Sequence, residues 1–169
     1  MLSALILTLA AGLEPVPPDA IQDGRLAVVS LHGSARCELP GGEWQQLVDG
    51  GAVKGWVCTD GEIRLGILPQ GSSPAKMSHT DAERMLAGAA SHVPAGQTLT
   101  EKGWEREALP AGEAVRIWVA MKGPDGVSVM HSIYLPGEPA IGYVFMSHSD
   151  RVAPPEALLA LARSYTRGP

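Results

Sequence analysis

The sequence predicts an α+β fold, a mainly antiparallel sheet with two helices packed on it. Three observations lead there. Val115, Ile117, Val119 and Met121 alternate strictly with Arg116, Trp118, Ala120 and Lys122, the period of two that marks a half-buried strand. A link through Pro124 and Gly126 then leads into a second apolar run, Val127 to Leu135, as a hairpin requires. Helical periodicity appears in two stretches, one after Thr80 and one after Pro154.

Met1 to Gly12 is an uncharged apolar run that ends in small residues, with Ala10 and Gly12 at the positions of an A-x-A-like cleavage site. It reads as a signal peptide, with a buried N-terminal strand or helix as the alternative. The run is too short to span a bilayer, for which about 20 residues are needed, so no integral membrane segment is expected in the mature chain. Residues 13–24, with Pro15, Pro17 and Pro18, read as an extended leader without regular structure, and residues 25–169 as a single α+β domain.

Arg25 to Leu31 is a short strand rich in branched residues. Trp44 to Val48 and Val53 to Thr59 flank the turn signal Asp49-Gly50-Gly51, and Asp60-Gly61 precedes a further strand, Glu62 to Leu68. Pro69 to Met77 is loop. Thr80 is placed to cap the first helix with Glu83 completing a capping box. Ala82, Met85, Leu86, Ala89, Ala90 and Val93 form its apolar stripe, and Pro94 and Gly96 end it. Gln97 to His148 is expected to hold three or four strands, with Glu101, Glu105 and Glu107 in a polar connection around Trp104. Pro136 to Pro139 breaks the chain before another strand, Ile141 to Ser147. Pro154-Pro155-Glu156 opens the second helix, whose apolar face is Leu158, Leu161, Ala162 and Tyr165, with Arg163 and Arg167 at its C-terminal end.

The order of helix, antiparallel strands and terminal helix over Thr80 to Arg167 resembles the Mog1/PsbP-like α/β/α sandwich of small, often exported proteins. Trp44-Gln45-Gln46-Leu47-Val48, Asp49-Gly50-Gly51 and Gly55-Trp56-Val57 resemble the end of a bacterial SH3-like module. Neither resemblance assigns a functional residue.

At 169 residues with 45 % hydrophobic and 18 % charged side chains, the chain has the composition of one folded domain rather than of a disordered one. Its net charge of -5 and lack of basic runs remove the electrostatic footprint of a nucleic-acid or anionic-membrane binder. Its two cysteines, Cys37 and Cys58, are expected to form a disulfide if the chain is exported.

Of the five histidines, His32, His79 and His92 have no metal-ligand spacing with a third residue. His131, His148 and Asp150 are the catalytic candidates, because Ser147-His148-Ser149-Asp150 and His131-Ser132 contain the residue types of a Ser–His–Asp set. Adjacent strand residues point to opposite faces, and no G-x-S-x-G elbow is present to expose a serine. Trp44, Trp56, Trp118 and His131 are the ligand-binding candidates, the last two on one face of the central hairpin; buried, the indoles are core. No phosphate-binding loop, metal site or cofactor motif is found. The expectation is therefore an exported, periplasmic or secreted, non-catalytic binding or accessory protein with a protein or other envelope component as partner. The alternatives are a small hydrolase-like enzyme using a strand histidine, and an intracellular protein-interaction module of the cytoplasm.

Overall fold

A computed structural model describes residues 12–23, 25–30, 33–38, 43–49, 51–60, 63–70, 78–135 and 142–167. The strands in chain order are β1 (Gly12–Pro15), β2 (Ile21–Gln22), β3 (Arg25–Ser30), β4 (Gly33–Glu38), β5 (Trp44–Asp49), β6 (Ala52–Asp60), β7 (Ile63–Gln70), β8 (Thr98–Leu109), β9 (Gly112–Gly123), β10 (Gly126–Leu135), β11 (Gly142–Ser149) and β12 (Thr166–Arg167). The helices are α1 (His79–Ala90) and α2 (Glu156–Ser164).

Eight strands form one sheet in the order β1-β5-β6-β7-β11-β10-β9-β8, and four form a second in the order β12-β4-β3-β2. Every pairing between them is antiparallel. The protein is an α+β fold with mainly antiparallel sheet. At the β9–β10 hairpin Gly123 pairs with Gly126 across Pro124 and Asp125, and Gly126 takes the positive φ of 116° that a side chain would resist.

Two cores lie on opposite faces of the large sheet. Val115, Ile117, Val119 and Met121 of β9 and Met130 of β10 pack under Ala82 and Leu86 of α1. On the other face Ile133 and Leu135 of β10 meet Leu158, Leu161 and Ala162 of α2, with Leu26 and Cys37 of the small sheet. The central strands β9 and β10 are thus buried on both faces, although the alternation of β9 reads as a strand wet on one side. Of its polar-side residues by pattern, Arg116 and Ala120 are buried and Trp118 half-buried, while Lys122 near the hairpin end is exposed.

Four expectations are corrected. Gly12–Pro15, spanning the last residue of the stretch read as signal peptide and the first three of the one read as irregular leader, pairs with β5 and forms one edge of the large sheet. Residues 98–109, read in part as a polar connection, are a single 12-residue strand at the other edge. Helix α1 is capped by Ser78 with Asp81 rather than by Thr80 with Glu83, because Ser78 keeps an extended backbone (φ -72°, ψ 166°) while Thr80 is already helical. Cys37 is a free, buried thiol, so the expected Cys37–Cys58 bridge is not formed. It lies on β4 of the small sheet, whereas residue 58 belongs to β6 of the large one. Residues 1–11 of the stretch read as a signal peptide, and the Pro136 to Pro139 break, lie outside the described residues. Among those described, no helix is long and apolar enough to cross a membrane.

Candidate functional site

The polar features that sequence reasoning singled out meet on the α2 face of the large sheet. His131 of β10 pairs in register with Trp118 of β9, which pairs with Gly103 of β8. Residues opposite one another in an antiparallel pair share a face, so the histidine and the indole stand side by side as expected. The indole lies over Gly103: a Cβ there would come within 2.8 Å of Trp118 Cε2 and Cη2. The guanidinium of Arg116, two residues along β9, stacks on the Trp118 ring 4.3 Å from its centroid.

Arg116 is buried and held from both sides. Its Nε donates to Glu105 Oε1 of β8 at 2.8 Å, and its Nη1 to the Val152 carbonyl at 3.2 Å. This arrangement answers the cost of burying a cation, since both contacts are charge-assisted hydrogen bonds. His131 is 0 % exposed. Its Nε2 lies 3.0 Å from Ser149 Oγ and 3.0 Å from the Arg151 carbonyl oxygen. Ser149 in turn donates to that same carbonyl at 2.8 Å and accepts from the Arg151 amide at 3.3 Å, a turn closed by a serine hydroxyl.

These contacts favour one tautomer. A carbonyl oxygen only accepts, so its position 3.0 Å from Nε2 favours the tautomer with the proton on that nitrogen. A base that activates Ser149 would need a lone pair at that nitrogen. The His131–Ser149 pair therefore has the distance of a catalytic dyad and the wrong proton for one. What His131 and Arg116 do together is pin consecutive carbonyls, Arg151 and Val152, of the segment leading from β11 into α2.

The remaining candidates do not join them. Asp150 is exposed and pairs with its neighbour Arg151 at 3.4 Å. His148 stands opposite Met130, one position out of step with the His131 row; its side chain lies outside the described residues, as does that of Cys58. Trp44 and Trp56 are 8 % and 5 % exposed and belong to the core under α2, so they form no open platform. His79 is exposed and stands edge-on to Trp104 at 5.1 Å, where Trp104 Nε1 donates to Glu83 at 2.7 Å. Among the described residues no three of His, Cys, Asp and Glu are grouped as metal ligands would be. Sequence reasoning missed Arg116, placed Glu105 in a polar connection, and set Ser149 beside His148 and Asp150 rather than against His131. The signal was there for Arg116, which sits between Ala114 and Trp118 on a face too apolar for open solvent.

Neither a protein-family model nor a curated protein matches the chain. Among solved structures it is similar to LpqN, a protein involved in cell envelope biogenesis of Mycobacterium tuberculosis, with a TM-score of 0.43 and 13 % identity over 100 % of this chain and 98 % of that one. A likeness at that score says nothing of activity or partner.

Proposed function

We propose that this chain is a non-catalytic binding or accessory protein of the cell envelope, exported by its N-terminal segment. One observation carries the non-catalytic half. The shielded histidine, the best-placed base by sequence, has Nε2 3.0 Å from the Arg151 carbonyl oxygen, a contact that favours the proton on that nitrogen and leaves no lone pair there for Ser149. The same bond gives His131 a structural task, holding the entry to α2. The envelope half rests on the apolar, small-residue-terminated run Met1 to Gly12. The resemblance of Thr80 to Arg167 to a sandwich of small, often exported proteins points the same way. The free Cys37 thiol removes the disulfide as a support for export.

Two measurements test the two halves separately. The purified chain and its Ser149→Ala variant are assayed with activated ester and phosphoester substrates. No turnover above the buffer rate is expected; turnover lost in Ser149→Ala with an unchanged melting curve would establish the hydrolase alternative. Intact mass of the protein recovered from its native host is expected to show a chain beginning near Leu13. A chain retaining Met1 would replace export with the intracellular interaction-module reading.

A further inference from the structure

We propose that the outer edge of β8 is a docking site for an extended segment of another protein, one carrying basic side chains at alternate positions. This names the surface and partner chemistry of the binding role proposed above, and rests on that reading.

The two edges of the large sheet are built differently. At one end β1 is four residues long and finishes in Pro15, a short edge with little backbone to offer. At the other, β8 runs 12 residues without proline and is exposed along most of its length. Among the described residues it pairs on one side only, with β9, leaving a row of backbone donors and acceptors on the other. Such an edge either is protected or takes a strand.

The charges on β8 decide between kinds of strand. Glu101, Glu105 and Glu107 stand opposite Ala120, Arg116 and Ala114, which places all three on the α2 face. Lys102 and Arg106 stand opposite Val119 and Val115, on the α1 face. Acids are thus on one side of the strand and bases on the other. Two copies pairing edge to edge about a two-fold axis would bring same-face residues together. Centred on Gly103, Glu101 would meet Glu105; centred on Trp104, Glu101 would meet Glu107 and Lys102 would meet Arg106. Centres at Lys102 or Glu105 oppose those residues to themselves. Each like pair is destabilising, so the pattern works against a second copy. A foreign strand with Lys or Arg at every second position meets the opposite condition on the α2 face. There Glu105 is already engaged by Arg116, while among the described residues no ion pair holds Glu101 or Glu107.

The probe is a ten-residue synthetic peptide with Lys at alternate positions and Thr or Val between, against one of equal composition with its Lys residues grouped at one end. Amide hydrogen exchange and an affinity titration are read at low salt. Protection is expected across residues 98–109, with affinity about tenfold above that of the grouped peptide, the size of two or three favourable cross-strand charge pairs. The double variant Glu101→Lys with Glu107→Lys should turn the preference to a peptide alternating in Glu. Should that variant fail to fold, the single Glu101→Gln is expected to weaken the basic peptide about threefold while leaving the melting curve unchanged. Protection elsewhere, equal affinity for the two peptides, or self-association of the free chain through residues 98–109 would each overturn the proposal. None of these would touch the non-catalytic reading, which is decided by turnover and the Ser149→Ala variant.

Discussion

A glycine and an indole show how much one missing Cβ decides. Trp118 occupies the space over Gly103 because the neighbouring strand has no side chain there, and the ring in turn carries the Arg116 guanidinium. Gly103→Ala would put a methyl group into the ring's space, and an indole cannot bend out of the way as a flexible chain would. The expected cost is about 1–3 kcal/mol, the ordinary penalty of overpacking, seen as a lower melting temperature. Cys37 gives a second expectation. Burial pushes its thiol up to about 12, against the pull of the nearby Arg25 guanidinium. The folded chain thus holds the proton more tightly than the unfolded chain, whose thiols titrate near about 8.5. That contribution to stability is whole below the unfolded value and is lost as pH rises toward the folded one. Cys37→Ala should flatten the fall in the urea midpoint over this alkaline window. At neutral pH, mass mapping should find the Cys37 peptide alkylated by iodoacetamide only after denaturation; labelling in the native state would contradict the burial.

Helix α1 illustrates what a local pattern reveals and what it hides. Its apolar stripe was legible, since Ala82, Met85, Leu86, Ala89 and Val93 recur at helical spacing and do pack on β9 and β10. Its start was not, because Ser78-x-x-Asp81 and Thr80-x-x-Glu83 both carry capping chemistry. Tertiary context decided: Glu83 is taken by Trp104 Nε1 of β8, which leaves the cap to Ser78 and Asp81. Ser78 donates to the Asp81 carboxylate from both its hydroxyl and its amide, at 2.7 and 3.1 Å. These bonds, with Arg84 a smaller contributor, hold that carboxyl below the usual range. A lowered folded value means that the box stabilises above the unfolded pKa of an aspartate and fades as pH falls through the folded one. Ser78→Ala is expected to cost about 1 kcal/mol at neutral pH, with the difference from wild type shrinking in acid; a difference independent of pH would remove the Asp81 bond from the explanation. Strand β8 failed for a related reason. Five charges within the seven residues 101–107 look like a connection when the pairing that orders them, with β9, cannot be read from either strand's sequence alone.

At the scale of the molecule, α2 is the piece that joins the two sheets. Its inward face, Leu158, Leu161 and Ala162, is fully buried between Ile133 and Leu135 of the large sheet and Leu26 and Cys37 of the small one. Its C-terminal end is bonded to the small sheet as well: Arg25 Nη2 donates to the Ser164 carbonyl at 2.9 Å, and the Glu38 amide donates to Ser164 Oγ at 2.9 Å. β12 then continues from the helix into that sheet against β4. Sequence periodicity marked the apolar face of α2 but could not say that it faces two sheets, since the small sheet closes on residues more than a hundred positions away. The consequence is mechanical. If α2 is the shared core, a cavity in it must loosen both sheets together. Leu161→Ala is expected to cost about 2–5 kcal/mol. Tryptophan fluorescence, to which Trp44 and Trp56 of this core contribute alongside Trp104 and Trp118, should then fall at the same urea concentration as the far-ultraviolet strand signal. Leu86→Ala, beneath α1 on the opposite face, cuts a cavity in a core with no residue in common, so the two losses should add in the double variant. Separate transitions in Leu161→Ala would mean that the small sheet melts by itself, and that α2 is anchored to the large sheet alone.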